Sequence, residues 1–181
     1  MIYGTSLYNY ISYKREQAQN ENRNDSHRGR ALSFIQKHGF VTLFPVRGII
    51  FPSLYGSTAG ESKEEKFQKA WNCADNLAQQ KRIYYGKLVQ GQVTLISLEI
   101  FPYIYKLQHS RKEIGETAKK MLDLLRRQGA TSTTSLRKQL NLMGRDRKNI
   151  FTKALNQLQL DFAITVVSRE KSPKMTYTWD I

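Results

Sequence analysis

A single cysteine, Cys73, means that no internal disulfide can form, and it leaves too few thiolates for a cysteine-rich zinc site. The three histidines, His27, His38 and His109, are far apart and lack metal-ligand spacing, so no metal and no other cofactor is expected. No run of about twenty apolar residues occurs, and Met1 to Tyr13 lacks the continuous apolar core of a signal peptide. The chain therefore reads as soluble, without a membrane partner, and its cysteine usage suits a reducing cytoplasm. No glycine-rich phosphate fingerprint is present, and Gly56-Ser57-Thr58-Ala59-Gly60 only approaches a nucleophile elbow, so it reads as a flexible loop. Cys73 itself sits beside the apolar stripe of a helix and reads as a packed, inert thiol. Carboxylates are also scarce. Fifteen Asp and Glu stand against 29 Lys and Arg, a formal net charge of +14, which attracts polyanions without specifying a sequence.

What is present is most legible in the last third. Ala118, Met121, Leu122 and Leu125 recur at helical spacing until Gly129 stops them. Ser132, Thr133 and Thr134 offer N-caps for a short second helix with Leu136, Leu140 and Leu142 inward. Gly144 breaks that helix, and Asp146 is a cap for a third. There Ile150, Phe151, Ala154, Leu155 and Leu158 share one face at about 100° per residue. Phe162 to Val167 and Met175 to Trp179 then read as two strands joined by a polar turn, Ser168 to Lys174. Helix, turn, helix, turn, longer basic helix and hairpin is the order of a winged helix-turn-helix, a module used mostly on double-stranded DNA.

The candidate ligand face follows from that geometry. With the apolar stripe buried, the third helix turns Asn149, Thr152, Lys153 and Asn156 outward, with Leu160 at its exposed end. Amides pair with adenine edges and lysine with guanine or phosphate. Arg145 and Lys148 stand at the helix entrance and Arg169, Lys171 and Lys174 at the wing, as phosphate contacts. Arg147 projects nearer the buried face and has a flanking phosphate role at most. Thr117 to Ile181 holds 13 Lys and Arg against 5 Asp and Glu, a disproportionate share of the positive charge.

The remainder divides into smaller pieces. Residues 1–29 form an aromatic segment, Tyr3 to Tyr13, and a polar stretch expected to be solvated or disordered. Residues 30–108 form an α+β unit. Its parts are a helix from Arg30 to His38 ended by Gly39, a strand at Phe40 to Phe44, and a helix from a Ser62/Glu65 capping box to Gln80. Two strands, Ile83 to Val89 and Val93 to Leu98, follow, joined by Gln90-Gly91-Gln92. The stripe of the long helix is Phe67, Ala70, Trp71, Ala74, Leu77 and Ala78. Phe44-Pro45, Phe51-Pro52 and Phe101-Pro102 each end or offset an element. Helix followed by hairpin again suggests a wing, so this unit reads as a divergent winged-helix-like one, joined by a linker at 109–116 to residues 117–181. The fold class is α+β. Glu99, between an apolar strand and Phe101-Pro102, is expected to do more than face solvent, for instance by capping the following turn.

The runs GFVTLFPVRGIIFPSLYGSTAGE and RIYYGKLVQGQVTLISLEIFPYIY, followed by the terminal winged helix, resemble the AlkZ-related winged-helix family, relatives of the AlkZ and YcaQ DNA glycosylases. The resemblance covers roughly residues 30 to 181. It implies tandem winged-helix units, a DNA-associated protein and a link to alkylated or crosslinked DNA. Those glycosylases carry a Gln-aliphatic-Asp or Gln-aliphatic-Gln motif whose polar pair activates the attacking water. In the corresponding region, Val41-Thr42-Leu43-Phe44-Pro45, neither polar group stands. Gln90-Gly91-Gln92 matches the spacing but falls at a hairpin turn.

The sequence thus points to a non-catalytic double-stranded DNA-binding protein of winged-helix type, tied to DNA repair or transcription control. Two alternatives stay open. One is a DNA glycosylase acting on alkylated DNA, with Glu99 and Gln92 as the groups to mutate. The other is a protein-protein interaction module, or a homodimer, joined through the Tyr3 to Tyr13 segment.

Overall fold

The computed structural model describes residues 26–108, 113–170 and 176–181. The aromatic segment Tyr3 to Tyr13, most of the following polar stretch, His109 and the wing-tip residues Lys171 and Lys174 lie outside the described residues. The described chain is α+β: helices and two three-stranded antiparallel sheets.

The first half runs α1 (Ser26–His38), β1 (Phe40–Thr42), α2 (Leu54–Ser57), α3 (Lys63–Gln79), β2 (Ile83–Val89) and β3 (Gln92–Ser97), followed by α4 (Phe101–Gln108). The second half runs α5 (Glu116–Gln128), β4 (Thr131–Ser132), α6 (Thr133–Gln139), α7 (Lys148–Leu160), β5 (Thr165–Glu170) and β6 (Thr176–Asp180). Leaving α4 aside, both halves follow the same order, α-β-α-α-β-β. Their sheets also share a strand order, β1-β3-β2 and β4-β6-β5, with the last strand in the middle.

Local chemistry explains the repeated landmarks. Each first helix stops at a glycine with φ of 73°, Gly39 and Gly129, a left-handed conformation that a side chain disfavours. At Gly39 a Cβ would also come within 2.7 Å of Ile100. The Ser62 hydroxyl caps α3 by accepting from the Glu65 amide at 3.1 Å, while the Glu65 carboxylate accepts from the Glu61 amide. These bonds and the pairing with Lys69 hold the Glu65 carboxyl below its ordinary pKa, the Lys69 bond counting most. The Ser132 hydroxyl caps α6 in the same way, through the Ser135 amide. Both third helices end on a residue of positive φ, Lys81 and Phe162, with the next amide reaching back to Leu77 and Leu158. The turn Gln90-Gly91 has positive φ at both residues, as a tight two-residue hairpin requires.

Several expected boundaries shift. The first helix starts at Ser26 rather than Arg30. A short helix, α2, interrupts the small-residue loop, and Thr58 closes it by donating to the Leu54 carbonyl at 2.7 Å. Phe101-Pro102 begins a helix instead of ending an element, since proline lacks only an amide that the first turn does not use. Phe162 is a turn residue, and the strand after it starts at Thr165. Asp146 does not cap α7: Arg147 is the cap residue, with no side-chain cap bond. Glu99 is exposed, and its carboxylate accepts from the Gln36 amide on α1 at 3.3 Å.

One apolar core runs through both halves, from Ala31 and Leu32 through Leu77 and Tyr85 to Met121, Leu158 and Trp179. A smaller cluster of Tyr84, Ile96, Phe101 and Phe162 lies beside it. Contact between the halves is reciprocal: α3 packs on β5, α7 packs on β2, and β2 runs beside β5. Each half thus lays its third helix against the second strand of the other.

Candidate nucleic-acid interface

The sequence of α7, KNIFTKALNQLQL, contains no carboxylate and no arginine. One side of it enters the core through Phe151, Ala154 and Leu158, with Leu155 half-buried. Asn149, Thr152, Lys153 and Asn156 are all exposed, and helical spacing gathers them on one open strip. Leu160, at the end of that strip, is 44% exposed. Ile150 does not turn inward as its apolar character suggests. It is 49% exposed, on the flank of the strip beside Lys153, whereas its neighbour Phe151 is buried in the core.

Arginines fix the entrance to α7. The Arg137 guanidinium donates to three consecutive carbonyls, Leu142, Met143 and Gly144, at 3.0, 3.0 and 3.2 Å. Its charged carbon also lies 5.9 Å from the Phe151 ring centre. Arg147 donates to the Asn141 carbonyl at 2.7 Å, where φ is 55°. Arg145 and Lys148 are exposed at the same end.

Arg169 is the clearest departure from expectation. It is placed on β5, inside the molecule, with a side chain 4% exposed. Its Nε and Nη2 donate to Asp75 Oδ2 at 2.8 and 2.5 Å, and its guanidinium covers the Trp71 ring at 4.2 Å. Asp75 and Trp71 belong to α3, so the expected phosphate contact is instead an ion pair joining the halves. Desolvating that charge is offset only because carboxylate and ring both face it.

The remaining residues at the junction were not singled out by sequence. Strand β2 is an edge strand, and side chains of the second half satisfy its outward amides. Thr165 Oγ1 accepts from the Tyr85 amide at 3.0 Å and donates to the Tyr85 carbonyl at 3.1 Å. Gln159 Oε1 accepts from the Lys87 amide at 2.9 Å. The Tyr84 hydroxyl sits between the Gln159 and Ile164 carbonyls, at 3.0 and 2.9 Å. Burial pushes the Tyr84 and Tyr85 hydroxyls far above the ordinary tyrosine pKa.

Gln159 bears on catalysis as well. The spelling Gln-aliphatic-Gln occurs at Gln157-Leu158-Gln159, and Gln-aliphatic-Asp at Gln159-Leu160-Asp161. A search confined to Val41 to Pro45 and to Gln90-Gly91-Gln92 passes over both. The Gln159 side chain is fully buried, and its amide also donates to the Leu155 carbonyl at 3.3 Å. Gln157 binds the chain before α5, accepting from the Gly115 amide and donating to the Glu113 carbonyl. Both amides are therefore engaged in holding structure. The literal signal was present in the sequence, and burial decides what it does.

Among the described residues no cluster of His, Cys, Asp and Glu suits a metal ion, and no helix is long and apolar enough to cross a membrane. Cys73 is half-buried and packs against the core, and His38 rests on the Phe34 ring at the end of α1.

Two halves of one element order make up this α+β protein, with the carboxylate-free helix α7 open on one face. The chain belongs to the AlkZ-related family: the family model, described as AlkZ related, matches residues 26–181. Comparison with curated proteins and with solved structures finds no match.

Proposed function

We propose that the protein is a double-stranded DNA-binding protein of winged-helix type, without bond-breaking chemistry of its own. In this reading residues 117–181 are the DNA-binding winged helix, and the first half is a divergent copy that supports it. The observation that carries the reading is the open strip of Asn149, Thr152, Lys153 and Asn156 on α7, with Arg145 and Lys148 at its entrance. In an α-β-α-α-β-β module this third helix is the element suited to a major groove, where amides and lysine meet base edges. Net charge of +14 supplies the attraction to phosphates, and membership of the AlkZ-related family supports a DNA role. Arg169 leaves the set of phosphate contacts, while Lys171 and Lys174 remain in it by sequence.

The non-catalytic part rests on Gln159, whose side-chain amide is buried and engaged with the β2 backbone. The test is fluorescence anisotropy with undamaged duplex, alkylated duplex and single-stranded DNA across a salt series. Duplex preference with a steep salt dependence is expected, and Lys153→Glu should weaken it severalfold. Unchanged affinity of Lys153→Glu at low salt would remove α7 from the interface. Abasic sites in the alkylated probe would establish a glycosylase instead, and absence of any DNA binding would move the function to protein partners.

A further inference from the structure

The chemistry of the open strip says which base pairs it suits. This step rests on the DNA-binding reading above and asks what α7 distinguishes once it lies in a major groove. Guanine is read most often by the fork of arginine, and cytosine by a carboxylate accepting from its amino group. Helix α7 contains neither residue type, the nearby Arg137 and Arg147 donate to backbone carbonyls of their own turn, and the exposed Arg145 precedes the helix at its entrance, where its proposed contact is a phosphate. What the helix exposes are two asparagines, a threonine, two lysines, an isoleucine and a leucine: Asn149, Asn156, Thr152, Lys148, Lys153, Ile150 and Leu160. An asparagine amide donates and accepts in one plane, matching N7 and N6 of adenine, and methyl-bearing side chains suit the thymine C5-methyl.

We infer that α7 prefers A·T base pairs in the major groove, with Asn149 and Asn156 as the adenine readers and Thr152 and Ile150 against thymine methyls. The two asparagines are seven positions apart. That is about 10 Å along a helix, or roughly three base steps. Lys153, between them, binds phosphate or a guanine edge and contributes affinity more than choice. The exposed position of Ile150, at odds with its apolar character, acquires a role in this arrangement.

The experiment uses the full chain and labelled duplexes of equal length and identical flanks, with central windows of A·T pairs, G·C pairs, or A·T pairs containing 7-deazaadenine. That analogue removes the N7 acceptor from the major groove and leaves the minor groove intact. Binding to the A·T window should be about tenfold tighter than to the G·C window, the worth of one good bidentate pair. The 7-deazaadenine window should lose most of that advantage, keeping only what the thymine methyls contribute. Asn149→Ala and Asn156→Ala should each shrink the ratio by weakening A·T binding more than G·C binding, with the melting midpoint unchanged, since both residues are exposed. Equal affinity for all three windows with a steep salt slope would overturn the inference and leave duplex binding standing. An A·T preference that survives 7-deazaadenine and both substitutions would also overturn it, because minor-groove shape would then be the reader. No duplex binding at low salt would overturn the functional reading, and the inference with it.

Discussion

Gln159 and Thr165 satisfy backbone groups that the edge of β2 would otherwise leave open, and Tyr84 on β2 donates in return to carbonyls of the second half, so that the three hold the halves together. A buried amide without an acceptor costs about 1–3 kcal/mol. Gln159→Leu removes the acceptor facing the Lys87 amide and keeps side-chain bulk, so it should lower stability by about that amount in a denaturant melt. Removing the Arg169 guanidinium leaves the largely covered Asp75 carboxylate without that charge partner. Arg169→Ala should therefore cost about 3–5 kcal/mol, and Arg169→Met combined with Asp75→Leu should recover most of it. A double-mutant cycle measures this coupling directly. The tyrosines add a pH dependence. Burial raises the pKa of Tyr84 and Tyr85, so the folded state keeps protons that the unfolded chain releases above about pH 10. By linkage, their contribution is fully present below that pH and is lost as pH rises further. Urea midpoints measured between pH 8 and pH 11 should fall only at the alkaline end, less steeply in Tyr84→Phe.

At the scale of elements, α7 has two jobs on two faces. Phe151, Ala154 and Leu158 anchor it, Gln159 joins it to β2, and the open strip faces outward. Its orientation depends on the turn before it, where Arg137 gathers three carbonyls and Arg147 a fourth. Arg137→Ala should loosen that turn locally. Amide exchange is expected to speed up from Met143 to Lys148 while α3 stays protected, and exchange that rises equally in α3 would contradict a local role. The matching helix α3 has evolved different surroundings within the same topology. On it Trp71 and Asp75 hold Arg169 of the second half, and its first turn carries Glu64 and Glu65 beside Lys63 and Lys66. With Trp71 and Asp75 engaged by the second half, α7 is the groove-facing helix of the pair in the proposed reading.

At the scale of the whole molecule, the reciprocal packing makes the halves one cooperative body. The core is continuous from Ala31 to Trp179, and β2 meets β5 through side-chain bonds instead of a strand ladder. Trp71 lies in the first half and Trp179 in the second, and the chain has no other tryptophan. Thermal melts of Trp71→Phe and Trp179→Phe, each followed through the remaining tryptophan, should each agree with circular dichroism in midpoint. Disagreement within either variant would mean that the halves unfold separately.

Much of this was readable in the sequence because its signals are local. Helical spacing located α3, α5 and α7, glycine marked the ends of α1 and α5, and the Ser62/Glu65 pair marked the start of α3. The same spacing turned Asn149, Thr152, Lys153 and Asn156 to the outside, where the structure has them exposed. Periodicity orients a side chain relative to its own helix, and that suffices when the answer is solvent. It carries no information about what a distant segment presents. Arg169 reads as a wing cation until Asp75 and Trp71, on another helix, close over it. Ile150 reads as core but is left 49% exposed, and Gln159, which periodicity does not single out, is buried against β2. In this protein the sequence by itself determined the order of elements and the outward face of α7. Only the tertiary structure decided which polar groups are buried between the halves, because desolvation and pairing depend on neighbours that chain order does not bring near.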